Sequence, residues 1–147
     1  MFRKLWNILF GKRYDEISFR QSYELTDLAI ITFYQGTNKF NFMLDTGSTK
    51  NIINKSVLRG LDYESTERAA NLMGADGNVK EVDICMLTFT YKENSFKFPY
   101  LISDMDKAFE HIKKTTGATI HGIIGTEFFN AYKYVLDFEK LVAYSKS

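Results

Sequence analysis

The sequence predicts a mostly β, single-domain fold of short strands with two or three small helices. Three observations carry that prediction. Aromatic and β-branched residues gather in short runs, with 13 Phe and 9 Tyr among 147 residues. Turn chemistry separates those runs at close intervals. One Pro against 9 Gly leaves the runs free to pair while supplying residues for tight turns. A chain of this length is the usual size of one domain, and 45% apolar content is enough for a sizeable core.

Taken in order, Leu28 to Tyr34 reads as a strand, residues 35–38 (QGTN) as a turn, and Lys39 to Leu44 as the returning strand. Ile52 and Ile53 form a short strand, and Lys55 to Arg59 a helical turn ended by Gly60. Ala69 to Met73 and Val79 to Tyr91 flank Gly74-Ala75-Asp76-Gly77-Asn78, where Asp-Gly signals a hairpin because such turns need positive φ. Residues 92–95 turn the chain into a strand from Phe96 to Ile102. Asp104 to Thr116 reads as a helix with Met105, Ala108, Phe109 and Ile112 on one face, Ser103 or Asp104 as its cap and Gly117 as its stop. Ile120 to Ile124 is a short apolar run closed by Gly125; Thr126 caps a second helix through Tyr132. Tyr134 to Asp137 and Leu141 to Tyr144 close the chain as strands.

Charge and cysteine content exclude several classes. Lys plus Arg total 19 and Asp plus Glu 18, so there is no basic excess of the kind a nucleic-acid binder shows. Cys85 has no partner for an internal disulfide and reads as a packed strand thiol. One Cys and two His, far apart, give no zinc pattern, and neither a metal nor a cofactor is expected. Nothing implies an oxidising compartment, and the cytoplasm is the expected location. Residues 1–13 (MFRKLWNILFGKR) carry four basic residues, no acid, and Phe2, Leu5, Trp6 and Leu9 on one helical face. Their apolar run is too short to span a membrane. Such a segment either touches an anionic membrane surface weakly or packs on the domain or a partner. The expected division is a basic amphipathic leader over residues 1–22 and a folded domain over 23–147.

The chemistry gathers at Phe42-Met43-Leu44-Asp45-Thr46-Gly47-Ser48, where a strand delivers an acid into a tight turn. Gly47 lets the backbone bend, and Thr46 and Ser48 bring hydroxyls to the acid. Asp-Thr-Gly alone arises by chance in about 3% of chains this long. A second motif follows in order, His121-Gly122-Ile123-Ile124-Gly125-Thr126-Glu127, with the Asp-Gly hairpin between the two.

Together these resemble the single-domain, retropepsin-like aspartic peptidases of the bacterial type. The resemblance covers Leu25 to Tyr144 and implies a single-lobe acid-protease barrel, closed, with a flap hairpin. It implies that Asp45 is the catalytic acid and that Thr46, Gly47 and Ser48 support its loop. Thr46 would bond to the opposite loop, and Ser48 to the outer oxygen of Asp45. Ile123, Ile124 and Gly125 would pass beneath the loop, and Gly74, Ala75, Asp76 and Gly77 would form the flap. Two features depart from the viral members. Thr49 and Thr126 stand where those enzymes carry an acid and a base, so that ion-pair network is missing, and the helix after Asp104 is extra.

The family's reaction needs two facing carboxylates, yet no other Asp here follows an apolar strand and precedes a small-residue pair. The resemblance therefore implies a homodimer in which Asp45 meets its copy on a two-fold axis, acting on an extended peptide or protein substrate. The rival reading is a non-catalytic peptide-binding module on the same fold. A serine hydrolase using Ser48 with His111 or His121 is disfavoured by the absence of a Gly-x-Ser-x-Gly elbow.

Overall fold

A computed structural model describes residues 14–146. The order of elements is β1 (Tyr14–Ser18), α1 (Arg20–Thr26), β2 (Ile30–Gln35), β3 (Asn38–Leu44), β4 (Asn51–Asn54), a 3-10 helix (Lys55–Gly60), β5 (Tyr63–Met73) and β6 (Val79–Tyr91). There follow β7 (Asn94–Ser103), α2 (Asp106–Thr116), β8 (Gly122–Ile124), α3 (Thr126–Ala131), β9 (Val135–Asp137) and β10 (Val142–Lys146). The expected amphipathic stretch over residues 1–13 lies outside the described residues. No described helix is long and apolar enough to cross a membrane.

The expected mostly β barrel is present and closed. Strands run in the order β2-β3-β8-β4-β7-β6, and Tyr34 of β2 pairs with Thr90 of β6 to close the ring. β5 is added outside β6, giving the long β5–β6 hairpin. Four of the six pairings in the ring are antiparallel, and β3–β8 and β4–β7 are parallel. Parallel neighbours need crossover connections, so these pairings join segments distant in sequence.

Packing explains the aromatic content. Phe33 lies within 5.6–6.1 Å, centroid to centroid, of Phe42, Phe89, Phe96 and Phe128. These rings fill the barrel together with Leu87, Tyr100 and Ile124. A second cluster sits under α2, where Phe109 is buried against Ile30, Ile52, Leu101, Ile120 and Ile123. Ala108 of the expected apolar face is exposed; Met105 and Ile112 are half-buried and pack on this cluster. Gly117 ends α2 at φ 82, as its position predicts. Cys85 is buried, and desolvation pushes its thiol up to about 11, so it is a packed and unreactive group.

Several boundaries differ from the sequence reading for identifiable reasons. β5 starts at Tyr63, six residues before the expected run, because Glu64, Ser65 and Glu67 are exposed and leave no apolar alternation to read. It also bulges between Ser65 and Arg68, with Glu67 at φ 56. β1 and α1 occupy part of the expected leader. β1 pairs with β10 through all five of its residues and places the buried Ile17 in the core. The capping expectations also shift by a residue. Met105 takes the N-cap of α2, and the Asp104 carboxylate accepts the Asp106 N–H. Gly125, not Thr126, precedes the first turn of α3.

Candidate active site

Asp45 stands where β3 leaves the barrel. Three parallel pairs set the height of β3 against β8: Phe42 with Gly122, Met43 with Ile123 and Leu44 with Ile124. The next residue extends the register, as the Asp45 N–H donates to the Ile124 carbonyl at 3.0 Å. Beyond it the chain turns tightly. The Ser48 N–H donates to the Asp45 carbonyl at 3.1 Å, and the Gly47 N–H donates to Asp45 Oδ1 at 2.9 Å. The carboxylate is half-buried while Thr46 and Gly47 are exposed. One oxygen is thus oriented by a backbone donor from the exposed turn.

The second motif lies directly beneath this loop. Ile123 and Ile124 are buried, and Gly125 faces the turn. The Thr126 N–H donates to the Ser48 carbonyl at 2.9 Å and the Glu127 N–H to the Thr49 carbonyl at 3.0 Å. The Gly125 N–H donates to Oδ1 of Asn51, a side chain only 1% exposed, at 2.9 Å. Asn51→Ala would leave that buried N–H without an acceptor, so we expect a loss of about 2 kcal/mol in a denaturant titration.

One expectation needs correction. The Ser48 hydroxyl donates to the Lys50 carbonyl at 2.8 Å, bracing its own turn rather than the outer oxygen of Asp45. Thr49 and Thr126 are uncharged, and a different ion pair, of the opposite polarity, joins the two motifs one residue further along each segment. Lys50 Nζ lies 2.6 Å from Glu127 Oε1, with the base after the first motif and the acid after the second. The sequence reading missed Lys50, Glu127 and Asn51. The available signal was a charged residue after each motif's Thr and a polar residue opening an apolar strand.

The Gly74-Ala75-Asp76-Gly77 tip forms as its chemistry predicts. The Gly74 N–H bonds to the Asn78 carbonyl at 2.9 Å, and Gly77 sits at φ 83. Asp76 accepts from the Asn78 N–H and side-chain amide at 2.9 and 3.0 Å, and these bonds hold its carboxyl below the usual range. Met73 and Val79, opposite each other at the base of the tip, are 68% and 56% exposed. A hairpin with apolar flanks is therefore offered to solvent.

His121 prepares the second motif from behind. Its Nδ1 accepts the Asn41 N–H of β3 at 2.9 Å, and its ring packs edge-on against Phe40. Burial lowers its pKa from the ordinary 6.5, and an acceptor nitrogen must be unprotonated. The unfolded chain therefore takes up a proton below about pH 6.5 that the folded chain resists, and stability falls as pH drops through that region. Thermal midpoints measured from pH 7.5 to 5 should decline more steeply for the native protein than for His121→Gln; equal slopes would refute this.

A cavity of about 700 Å³ lies elsewhere, between α1 and residues 116–119, with Ser22, Leu25, Thr32 and Asn41 on its walls. Its lining holds no carboxylate, imidazole or thiol, and its Tyr91 hydroxyl accepts the Ser18 N–H at 3.1 Å. Among the described residues, no group of three or more His, Cys, Asp or Glu is arranged to hold a metal ion.

A family model described as aspartyl protease matches residues 31–128, which include Asp45, the β5–β6 hairpin and the whole of the second motif. No curated protein matches this sequence. Among solved structures, a retropepsin-like aspartic protease from Rickettsia conorii aligns with a TM-score of 0.49 and 12% identity, covering 94% of this chain and 97% of that one. The retroviral protease-like domain of Ddi1 from Leishmania major aligns with a TM-score of 0.47 and 13% identity, covering 80% and 92%. The two structural likenesses are too distant to carry an argument about chemistry, whereas the family match spans two-thirds of the chain. The chain belongs to the aspartyl protease family.

Proposed function

We propose that this protein is an aspartic endopeptidase that cleaves peptide bonds with a water activated between the Asp45 carboxylates of two identical chains. The observation that carries the reading is the setting of Asp45: a half-buried carboxylate with one oxygen on the Gly47 N–H, at the open end of a strand pinned to Ile124. Each chain supplies one such acid, and the reaction needs two. Two carboxylates brought close cannot both ionise cheaply, so one proton is shared; aspartic-protease dyads are the standing example of this coupling. The ionised partner takes a proton from water as it attacks the carbonyl. The protonated partner donates to the developing oxyanion, and a proton then passes to the leaving amine.

In this reading Thr46, exposed at the tip of the turn, bonds to the opposite loop, while Gly47 and Ser48 hold the turn itself. Ile123, Ile124 and Gly125 form its floor. Gly74 to Gly77 form a flap over an extended peptide, which pairs its backbone like an added strand. Residues 1–13, with their four basic residues, either touch an anionic membrane surface weakly or pack on the domain or a partner. The compartment is the cytoplasm, consistent with a buried, unpaired thiol. The test compares native protein with Asp45→Asn on a mixed peptide library from acidic to neutral pH, with sedimentation alongside. Cleavage by the native dimer and none by the mutant dimer supports the reading. A native dimer that cuts nothing refutes it in favour of a peptide-binding module.

A further inference from the structure

We infer that Lys50 and Glu127 are positioning residues for the peptidase reaction, an ion-paired brace that fixes the Asp45 turn against the start of α3. The inference rests on the proposed peptidase reading. Its geometry is independent of any ligand. Lys50 ends the turn that begins at Asp45, and Glu127 is the second residue of α3. The backbones of the two segments already bond at three points, Asp45 to Ile124, Ser48 to Thr126 and Thr49 to Glu127, all on the floor side of the turn. The 2.6 Å contact from Lys50 Nζ to Glu127 Oε1 follows directly after these bonds. It joins residues 77 apart in sequence, so it ties the first motif to the second rather than a helix to itself. The carboxylate of Glu127 also sits in the first turn of α3, where a negative charge is favoured.

Two sensitivities separate a brace from a decorative surface pair. The two side chains are 50% and 46% exposed, and exposed pairs add little to folding stability. The reaction responds differently, because a displacement of about 1 Å in a reacting group can cost up to a hundredfold in rate. Reversing one charge replaces attraction with repulsion and shifts the turn by a fraction of an ångström while its backbone bonds to α3 hold. The loss should then appear in turnover and hardly at all in the thermal midpoint. Exchanging both charges restores attraction across the same gap.

The experiment measures kcat, KM, thermal midpoint and sedimentation for the native enzyme, Lys50→Glu, Glu127→Lys and the double exchange. We expect each single reversal to lower kcat about tenfold, with KM little changed and the midpoint within about 2 °C. The double exchange should recover most of the native kcat. Singles that match the native enzyme would overturn the inference, as would a double exchange no better than the singles, or rates that simply follow the midpoints. A native dimer that cleaves nothing would overturn the parent reading and this one together, and is distinguished from the other failures by the inert native control.

Discussion

Asp45→Asn should leave a folded dimer whose cleavage is reduced by at least about a thousandfold, within the range that positioned acid–base groups contribute. The substitution is informative because so little else changes. The Asn side-chain oxygen still accepts the Gly47 N–H that now meets Oδ1 at 2.9 Å. The backbone bonds from Asp45 to Ile124 and from Ser48 to Asp45 do not involve the side chain. What disappears is the group that exchanges a proton, and in a symmetric dimer it disappears twice. Mixing sharpens the test. After subunits exchange at equal amounts, about one quarter of the dimers are native homodimers. If both carboxylates are needed, activity falls to about one quarter of that of native protein at the same total chain concentration. Activity that falls only to one half would mean that each chain works alone, and the shared site would be refuted. A mutant that no longer sediments as a dimer would instead assign Asp45 a role in assembly.

The parts of this protein legible in its sequence are those where local chemistry and fold agree. The β2–β3 hairpin, the Asp-Gly turn at residue 77 and the glycine stop of α2 each announce themselves through a few adjacent residues. The Asp45 turn is also local, because an apolar strand, an acid and a glycine stand together. That Gly122 to Ile124 lie beside this turn is different, since the pairing spans about 80 residues and came from family resemblance rather than from any residue pattern. β1 and the first half of β5 were not legible. In β1 the apolar Ile17 stands among Asp15, Glu16 and Ser18, and most of β5 faces water on both sides, so neither shows the alternation by which a strand is read. The Lys50–Glu127 pair could not be read either. A charge beside a motif has many available partners, and only the parallel register of β3 with β8 brings this acid to this base. Ser48 failed for a subtler reason: a hydroxyl in a tight turn has backbone carbonyls closer at hand than the neighbouring carboxylate.

Gly125→Ala should destabilise the protein by about 3 kcal/mol or more, the upper part of the overpacking range, and lower the thermal midpoint by about 10 °C. Backbone conformation is not the reason, for Gly125 has φ −99 and ψ −178, which any residue adopts. The reason is proximity. A Cβ at this position would stand 2.5 Å from the Lys50 carbonyl oxygen and 2.7 Å from that of Ser48. Both contacts are backbone, so no rotamer relieves them. Ser48 also accepts the Thr126 N–H, and Lys50 accepts the Ser48 hydroxyl, so retreat of either carbonyl breaks a bond that holds the Asp45 turn. Activity should therefore fall further than the loss of folded protein explains, even well below the new midpoint. Gly77→Ala provides the contrast. Gly77 has φ 83 with no atom within 4 Å of a new Cβ, so its cost is backbone strain alone, about 1–2 kcal/mol. Gly125→Ala more damaging than Gly77→Ala, with a disproportionate loss of turnover, would identify close packing under the Asp45 turn as the reason for this glycine. Equal and small effects would mean that the turn can rise over a methyl group, and that its contact with the second motif is looser than these distances imply.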